Sequence, residues 1–92
     1  MKYKIVVTNR FKKDIKLAKK RNLDLSYLKE VIDVLSRGDK LPSKYKDHAL
    51  TGDYDNFREC HIKPNWLLLY LIDDNEIELL LFRTGSHSDI YN

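Results

Sequence analysis

The chain has 92 residues, which is the size of one domain. Its formal net charge is +3, from 17 Lys and Arg against 14 Asp and Glu, and its hydrophobic fraction of 42% excludes wholesale disorder. Cys60 is the only cysteine, which excludes an intrachain disulfide. The longest apolar run, residues 66–72, is far shorter than the roughly 20 residues that span a bilayer. We therefore expect a single domain over residues 1–92, cytoplasmic and with no membrane partner.

The positive charge is concentrated at one end of the chain. Residues 1–21 contain nine basic residues and one acidic residue, a formal charge of +8, whereas the remaining residues carry −5. Such a basic segment indicates an anionic partner, with nucleic acid first, although a solvated helix face is the alternative interpretation. The basic residues predicted to contact substrate phosphates are Lys12, Lys13, Lys16, Lys19, Lys20 and Arg21.

The first elements are a strand and two helices. Residues 3–8 are rich in β-branched and aromatic types and predict a strand. A helix with an amphipathic apolar spacing follows, with its cap at Thr8 or Asn9 and its end near Arg21. A second amphipathic helix is predicted to begin after a cap at Asp24. Because the connection is short, the two helices are expected to form a hairpin.

The second half of the chain is predicted to be mostly strands. Residues 39–56 contain proline, glycine and short polar residues and are expected to be mostly loop. Strands are then predicted over 57–62, 66–72 and 76–84, followed by a short flexible tail over 86–92. The order β-α-α-β-β-β predicts an α+β fold: a small, twisted, mostly antiparallel sheet with the helical hairpin packed on one face.

Histidines are the candidate proton-transfer groups of this chain. His48, His61 and His87 are its only side chains that titrate near pH 7 without help. Strand alternation places Glu59 and His61 on one open face, where the carboxylate can orient the imidazole, and Cys60 on the covered face. The spacing of the histidines matches no zinc signature, so no metal is expected. No P-loop or dinucleotide fingerprint is present, so no cofactor is expected either.

This set of residues suits proton transfer on a phosphodiester. RNA supplies its own nucleophile, the 2′-hydroxyl, so a protein needs only a base for that hydroxyl, an acid for the departing 5′ oxygen and cations for the phosphorane. Histidines together with Arg83 or Lys46 meet these needs without a metal.

Four stretches together, 14–18, 45–50, 57–66 and 82–87, resemble YafQ-type toxins of the RelE/ParE superfamily of type II toxin–antitoxin systems. The resemblance rests on three ordered blocks, Lys46-Asp47-His48-x-Leu50, His61-x-x-Pro64-x-Trp66 and Arg83-Thr84-Gly85-x-His87. It spans essentially the whole chain and implies a RelE-like fold. It also implies a bacterial endoribonuclease that cuts mRNA in the A site of the 70S ribosome without metal, and a DinJ-like antitoxin that neutralises it.

The resemblance also implies which residues form the active site. These are the three histidines already named and the C-terminal aromatic Tyr91, which can stack on a base. The chain departs from the family pattern at two positions where aspartate is expected. Glu59 keeps a carboxylate on a longer arm, whereas Asn65 cannot take up a proton near pH 7 and is expected only to orient substrate.

Within this reading the catalytic roles are assigned as follows. His87 is expected to be the general acid, and His48 or His61 the base, with Glu59 tuning His61. Arg83 is expected to stabilise the phosphorane charge.

Two other functions fit parts of the sequence. A ParE-like inhibitor of DNA gyrase shares the fold, but inhibition by docking needs no titrating side chains. A basic RNA-binding module would leave the histidines incidental and would bind RNA in a salt-sensitive way without cutting it.

Overall fold

The computed structural model describes residues 2–92. Its elements in chain order are β1 (Lys4–Val7), α1 (Asn9–Lys20), α2 (Leu25–Ser36), β2 (His48–Ala49), β3 (Arg58–Lys63), β4 (Trp66–Asp73), β5 (Glu78–Gly85) and α3 (His87–Tyr91). Single 3-10 turns over Ser43–Tyr45 and Gly52–Tyr54 flank β2. None of the helices in the described part of the chain is long and apolar enough to cross a membrane.

Both long helices begin where the sequence predicts, and α1 ends at Lys20, beside the predicted end near Arg21. The Thr8 hydroxyl caps α1 by accepting a hydrogen bond from the amide of Phe11 (2.9 Å). Asp24 caps α2 by accepting from the amide of Ser26 (3.0 Å). Between them Asn22 has a left-handed φ of 59°, a conformation that Asn adopts more readily than most residues. These local signals separate the two helices of the predicted hairpin.

The sheet has five strands in the order β1-β5-β4-β3-β2. β5 pairs parallel with β1, and every other pairing is antiparallel. The α+β class and the mostly antiparallel sheet are therefore confirmed. Two elements were not predicted. β2 lies in the segment expected to be loop, and α3 replaces the expected tail.

The main core lies between the sheet and the helical hairpin. Val31 and Leu35 of α2 and Phe11 of α1 are buried there against the sheet residues Leu68 and Leu79. Cys60 and Ile62 of β3 belong to the same cluster, which confirms the predicted covered face of that strand.

A smaller apolar cluster lies on the opposite face of the sheet. Its buried members are Leu67 and Leu69 of β4 and Ile90 of α3, with Leu50 and Tyr54 packed around them. Ile90 anchors α3 against this face, while Asp89 of the same helix contacts Arg21 at the end of α1. Glu59, the three histidines and Tyr91 gather beside this second cluster.

Candidate active site

Glu59 is the centre of a polar cluster on the α3 side of the sheet. Its Oε1 atom lies 3.4 Å from Nε2 of His48 and 3.7 Å from Nε2 of His61. Its Oε2 atom accepts a hydrogen bond from the Tyr91 hydroxyl. The sequence predicted an open face here, but Glu59 is only 5% exposed, because its neighbours on β2, β3 and α3 cover it. One carboxylate therefore contacts two imidazoles, where the sequence predicted contact with His61 alone.

The three histidines form a row across this face. The ring centres of His48 and His61 are 6.4 Å apart, and those of His61 and His87 are 6.1 Å apart. Tyr91 continues the row, with its ring centre 6.0 Å from that of His87. A general acid or base needs a heavy-atom distance of about 3 Å to the proton that it moves. Neighbouring rings in this row can therefore contact two sides of one phosphate.

His48 is positioned by the short strand β2. His48 pairs with Glu59 across the β2–β3 ladder, and this pairing brings the imidazole to the carboxylate. The Nδ1 atom lies 2.7 Å from the carbonyl oxygen of Lys46. Because a carbonyl only accepts, Nδ1 must carry a proton, and Nε2 is left as the atom that can exchange one.

A hydrogen-bonded network that was not predicted holds β2 in place. Arg58 of β3 donates from Nη2 to Oδ2 of Asp47 (3.0 Å), and the Tyr70 hydroxyl donates to the same carboxylate. The hydrogen bond that Arg58 donates to Asp47 is the main reason that the pKa of Arg58 is raised. Asp47 precedes His48, so the network fixes the backbone that carries this histidine. No pattern in the sequence links these three residues, since the contacts join segments far apart in the chain.

The expected flexible tail is instead the helix α3, which is tied down at its start. Ser86 and Asp89 form a capping box, with the Ser86 hydroxyl accepting from the Asp89 amide (3.1 Å) and Asp89 accepting from the Ser86 amide (2.9 Å). Arg21 donates to Asp89 Oδ2 at 2.6 Å. This guanidinium, and then the Ser86 amide, holds the pKa of Asp89 well below its usual range. Gly85 precedes the cap with φ of +152°, and a Cβ there would lie 2.9 Å from Asp89 Oδ2.

Arg83 lies between α1 and α3. Its Nε atom donates to Oδ2 of Asp14 at 2.8 Å, and its Nη2 atom donates to the carbonyl of Asp89 at 3.1 Å. Asp14 is itself buried and also accepts from the amide of Thr84. The guanidinium therefore links α1 to α3, the helix that carries His87. The sequence did not predict this arrangement.

Tyr91 combines an exposed ring with a bonded hydroxyl. It is 41% exposed, and its ring packs edge-to-face on Tyr54 with centres 5.7 Å apart. Partial burial and then the hydrogen bond to Glu59 raise the pKa of Tyr91. The ring face is thus available for stacking while the hydroxyl contacts Glu59.

The other residues predicted to bind substrate are exposed. Lys46 and Asn65 are both exposed, in the loop before β2 and in the β3–β4 turn. Arg21 is paired with Asp89, as described above. The remaining predicted contacts are exposed on α1: Lys12, Lys13, Lys16, Lys19 and Lys20. Within residues 2–92 no group of three or more His, Cys, Asp or Glu side chains has the arrangement of a metal site.

Comparison with known sequences identifies relatives that match almost the whole chain. The profile of the family described as "Bacterial toxin of type II toxin-antitoxin system, YafQ" matches residues 3–92. The chain is 38% identical over 89 residues to the mRNA interferase toxin YafQ of Escherichia coli (strain K12). This alignment covers 95% of this chain and 94% of the relative.

Solved structures show the same fold. The chain is similar to the toxin of the E. coli DinJ-YafQ toxin-antitoxin complex, with a TM-score of 0.89, 34% identity and coverage of 100% of both chains. It is also similar to a metal-bound toxin from Helicobacter pylori, with a TM-score of 0.91, 43% identity and coverage of 97% of this chain and 99% of that one.

Proposed function

This chain belongs to the YafQ family of toxins from bacterial type II toxin–antitoxin systems, and from that membership we propose that it is an mRNA interferase. It is an endoribonuclease that cuts mRNA in the A site of the 70S ribosome and so inhibits translation. The observation that carries this proposal is the row of His48, His61 and His87 beside the buried carboxylate of Glu59. A protein that only docked on a partner would need no such set of titrating groups.

The reaction is an in-line displacement at phosphorus. The 2′-oxygen of the RNA bonds to the phosphorus, and the bond from phosphorus to the 5′ oxygen breaks. A base takes the proton of the 2′-hydroxyl, and an acid gives one to the departing 5′ oxygen. The products are a 2′,3′-cyclic phosphate and a 5′-hydroxyl.

We assign the general acid to His87 and the general base to His48 or His61. His87 is exposed at the start of α3, whereas His48 and His61 both face Glu59. The anionic carboxylate stabilises an imidazolium and fixes its orientation, which suits a group that gains a proton as the reaction proceeds. Tyr91, at the end of the row, stacks on a base of the mRNA.

The basic residues supply binding rather than proton transfer. Arg83 was expected to stabilise the phosphorane directly, but its bonds to Asp14 and the Asp89 carbonyl support a positioning role, in which it fixes α3 and hence His87. Lys46 and Asn65 orient the substrate from exposed loops. The exposed lysines of α1 contact RNA phosphates without reading sequence.

The protein partner is a cognate antitoxin of the DinJ type. The E. coli relative forms a complex with DinJ, and this chain covers the whole of that toxin. The cellular setting proposed is the bacterial cytoplasm, where ribosomes and mRNA are found.

The reaction proposed needs no metal, because the nucleophile is the 2′-hydroxyl of the RNA and the imidazoles move the protons. The H. pylori relative is described as metal-bound, so the role of metal is tested directly. Protein is stripped with a chelator, dialysed into magnesium buffer and added to ribosomes. Full cleavage by the stripped protein is the expected result, and cleavage restored only by copper or zinc would contradict it.

The function is tested by primer extension on an mRNA in a translating extract. The wild type is compared with His87→Ala and with Ser88→Ala, an exposed neighbour on the same helix. We expect new breaks within codons for the wild type and Ser88→Ala, and a loss of about 100-fold or more in His87→Ala.

Each alternative result has a different meaning. Full cleavage by His87→Ala would mean that another group is the general acid, although the protein is still a nuclease. No cleavage by any variant, together with inhibition of gyrase supercoiling, indicates the ParE-like function instead. RNA binding without either activity indicates a binding module.

A further inference from the structure

A pocket of about 370 Å³ lies beside the histidine row, between α2, the loop before β2 and the end of β3. This volume is within the range of small-ligand sites in proteins. The residues that line it are Tyr27, Glu30, Lys44, Tyr45, Lys46, His61, Ile62, Lys63 and Pro64. Of these, only Lys46 and His61 were predicted to take part in function.

The pocket is strongly basic. Its lining contains three lysines against the single carboxylate of Glu30, so the formal charge of its wall is +2. Three ammonium groups around one concave site favour a compact anion, because each adds to the positive potential there. A phosphate is such an anion, and lysine is a common ligand for it.

Two of the lysines are held in place by aromatic rings. The Lys63 Nζ atom lies 3.7 Å from the centre of the Tyr27 ring, and the Lys44 Nζ atom lies 5.1 Å from the centre of the Tyr45 ring. A cation over a ring face is attracted by the negative charge at that face. The rings therefore restrict ammonium groups that would otherwise move freely, and this lowers the entropy lost when an anion binds.

We propose that this pocket binds the backbone phosphate of a nucleotide adjacent to the bond that is cut. The link is His61, which lines the pocket and also contacts Glu59 in the histidine row. This inference rests on the proposed endoribonuclease function and adds a subsite to it. An acidic peptide also matches the charge, but it would have no reason to meet a catalytic imidazole.

The subsite is tested with an RNA oligonucleotide in which 2′-O-methyl groups prevent cleavage. Its affinity is measured by fluorescence anisotropy for the wild type, for Lys44→Gln/Lys63→Gln and for Lys4→Gln/Lys40→Gln. The last variant removes the same charge from exposed lysines outside the pocket. We expect the pocket variant to bind about tenfold more weakly than this control. The slope of log affinity against log salt should also fall by about 0.7, as for one lost phosphate contact on single-stranded RNA.

A third variant tests the aromatic support. Tyr27→Leu keeps all three lysines but removes the ring beneath Lys63, and we expect about two- to fivefold weaker binding. All these substitutions are at exposed positions, and thermal unfolding checks that the fold is kept.

The outcomes separate the subsite from the activity, since binding is measured without cleavage. Equal affinities and salt slopes for the pocket and control variants would overturn the subsite even if the wild type cuts mRNA. Lost affinity for RNA in the pocket variant supports the subsite even if the wild type proves inactive. If the pocket variant keeps its affinity for RNA but loses affinity for a poly-glutamate peptide that the wild type binds, the occupant is a protein and the assignment to RNA is overturned.

Discussion

The two faces of the sheet differ in what they bury. Within residues 2–92, thirteen side chains form the buried core between the sheet and the helical hairpin, whereas only three form the cluster beneath α3. The α3 side instead buries the carboxylate of Glu59 beneath imidazole and phenol partners that are partly or largely exposed. Buried apolar area stabilises the fold, while a buried carboxylate stabilises it only when its partners are in place. The hairpin side therefore carries most of the stability, and the α3 side carries the proposed active site.

The largest effect is expected from the hairpin side. Leu68→Ala empties a fully buried position and should lower the free energy of unfolding by about 2–5 kcal/mol. Leu17→Ala removes the same atoms from a side chain that is 38% exposed and should change it by less than about 0.5 kcal/mol. Urea denaturation measures both. Similar losses in the two variants would contradict the assignment of the main core.

On the α3 side the expected effect is on cleavage. Glu59→Gln keeps the shape of the side chain but removes the charge that faces two imidazoles, and we expect cleavage to fall about 10- to 100-fold. Glu59→Asp keeps a carboxylate and should restore most of the activity. The assay is primer extension with ribosomes. Full cleavage by Glu59→Gln would show that the charge is not required, and a Glu59→Asp variant as inactive as Glu59→Gln would show that the length of the side chain matters as well as its charge.

The anchor of α3 gives a smaller and pH-dependent effect. Asp89→Asn should lower the free energy of unfolding by about 1 kcal/mol at pH 7, since it weakens a cap and a partly exposed ion pair with Arg21. The pKa of Asp89 is lowered in the folded state, so its contribution is complete above the unfolded value of about 3.9. The contribution is lost as pH falls from there towards the lower folded pKa.

Denaturation of both proteins at several pH values tests this. The stability difference between the wild type and Asp89→Asn should be constant from neutral pH down to about 4 and should narrow below it. A difference that widened on acidification would mean that another group provides the pH dependence.

The smallest effect is expected at Cys60, whose thiol should not react with an alkylating reagent in the folded protein. Cys60 is adjacent to Glu59 and His61 in β3 but lies on the opposite face, fully buried. Burial, more than the nearby carboxylates, raises the pKa of its thiol to about 12, so almost no thiolate exists at pH 8. Alkylation by iodoacetamide should occur only at the rate of unfolding. Rapid modification of the native protein would mean that the two faces are less separate than described.

The sequence predicted the parts of the fold that repeat a local pattern. The helices were found because their caps, Thr8 and Asp24, accompany a clear apolar period. Strand alternation in β3 correctly separated the faces of Glu59 and Cys60. β2 was missed because two residues are too few to show a period.

α3 could have been found from its sequence. Ser86 and Asp89 have the spacing of a capping box, which is a signal for the start of a helix. Its consequence, the contact between Tyr91 and Glu59, could not be predicted, since it depends on how a short helix packs over the sheet. The contact between Arg83 and Asp14 could not be predicted either, because the two residues are 69 positions apart in the chain.

The position of β5 between β1 and β4 affects when the protein becomes folded during its synthesis. The first strand has its parallel partner in the last one, and Arg21 and Asp89 meet across 68 residues. The helical hairpin can form early from local contacts, but β1 has no neighbour until β5 has left the ribosome. The chain therefore completes its sheet and assembles its histidine row in one late step. A partly synthesised toxin has no working site.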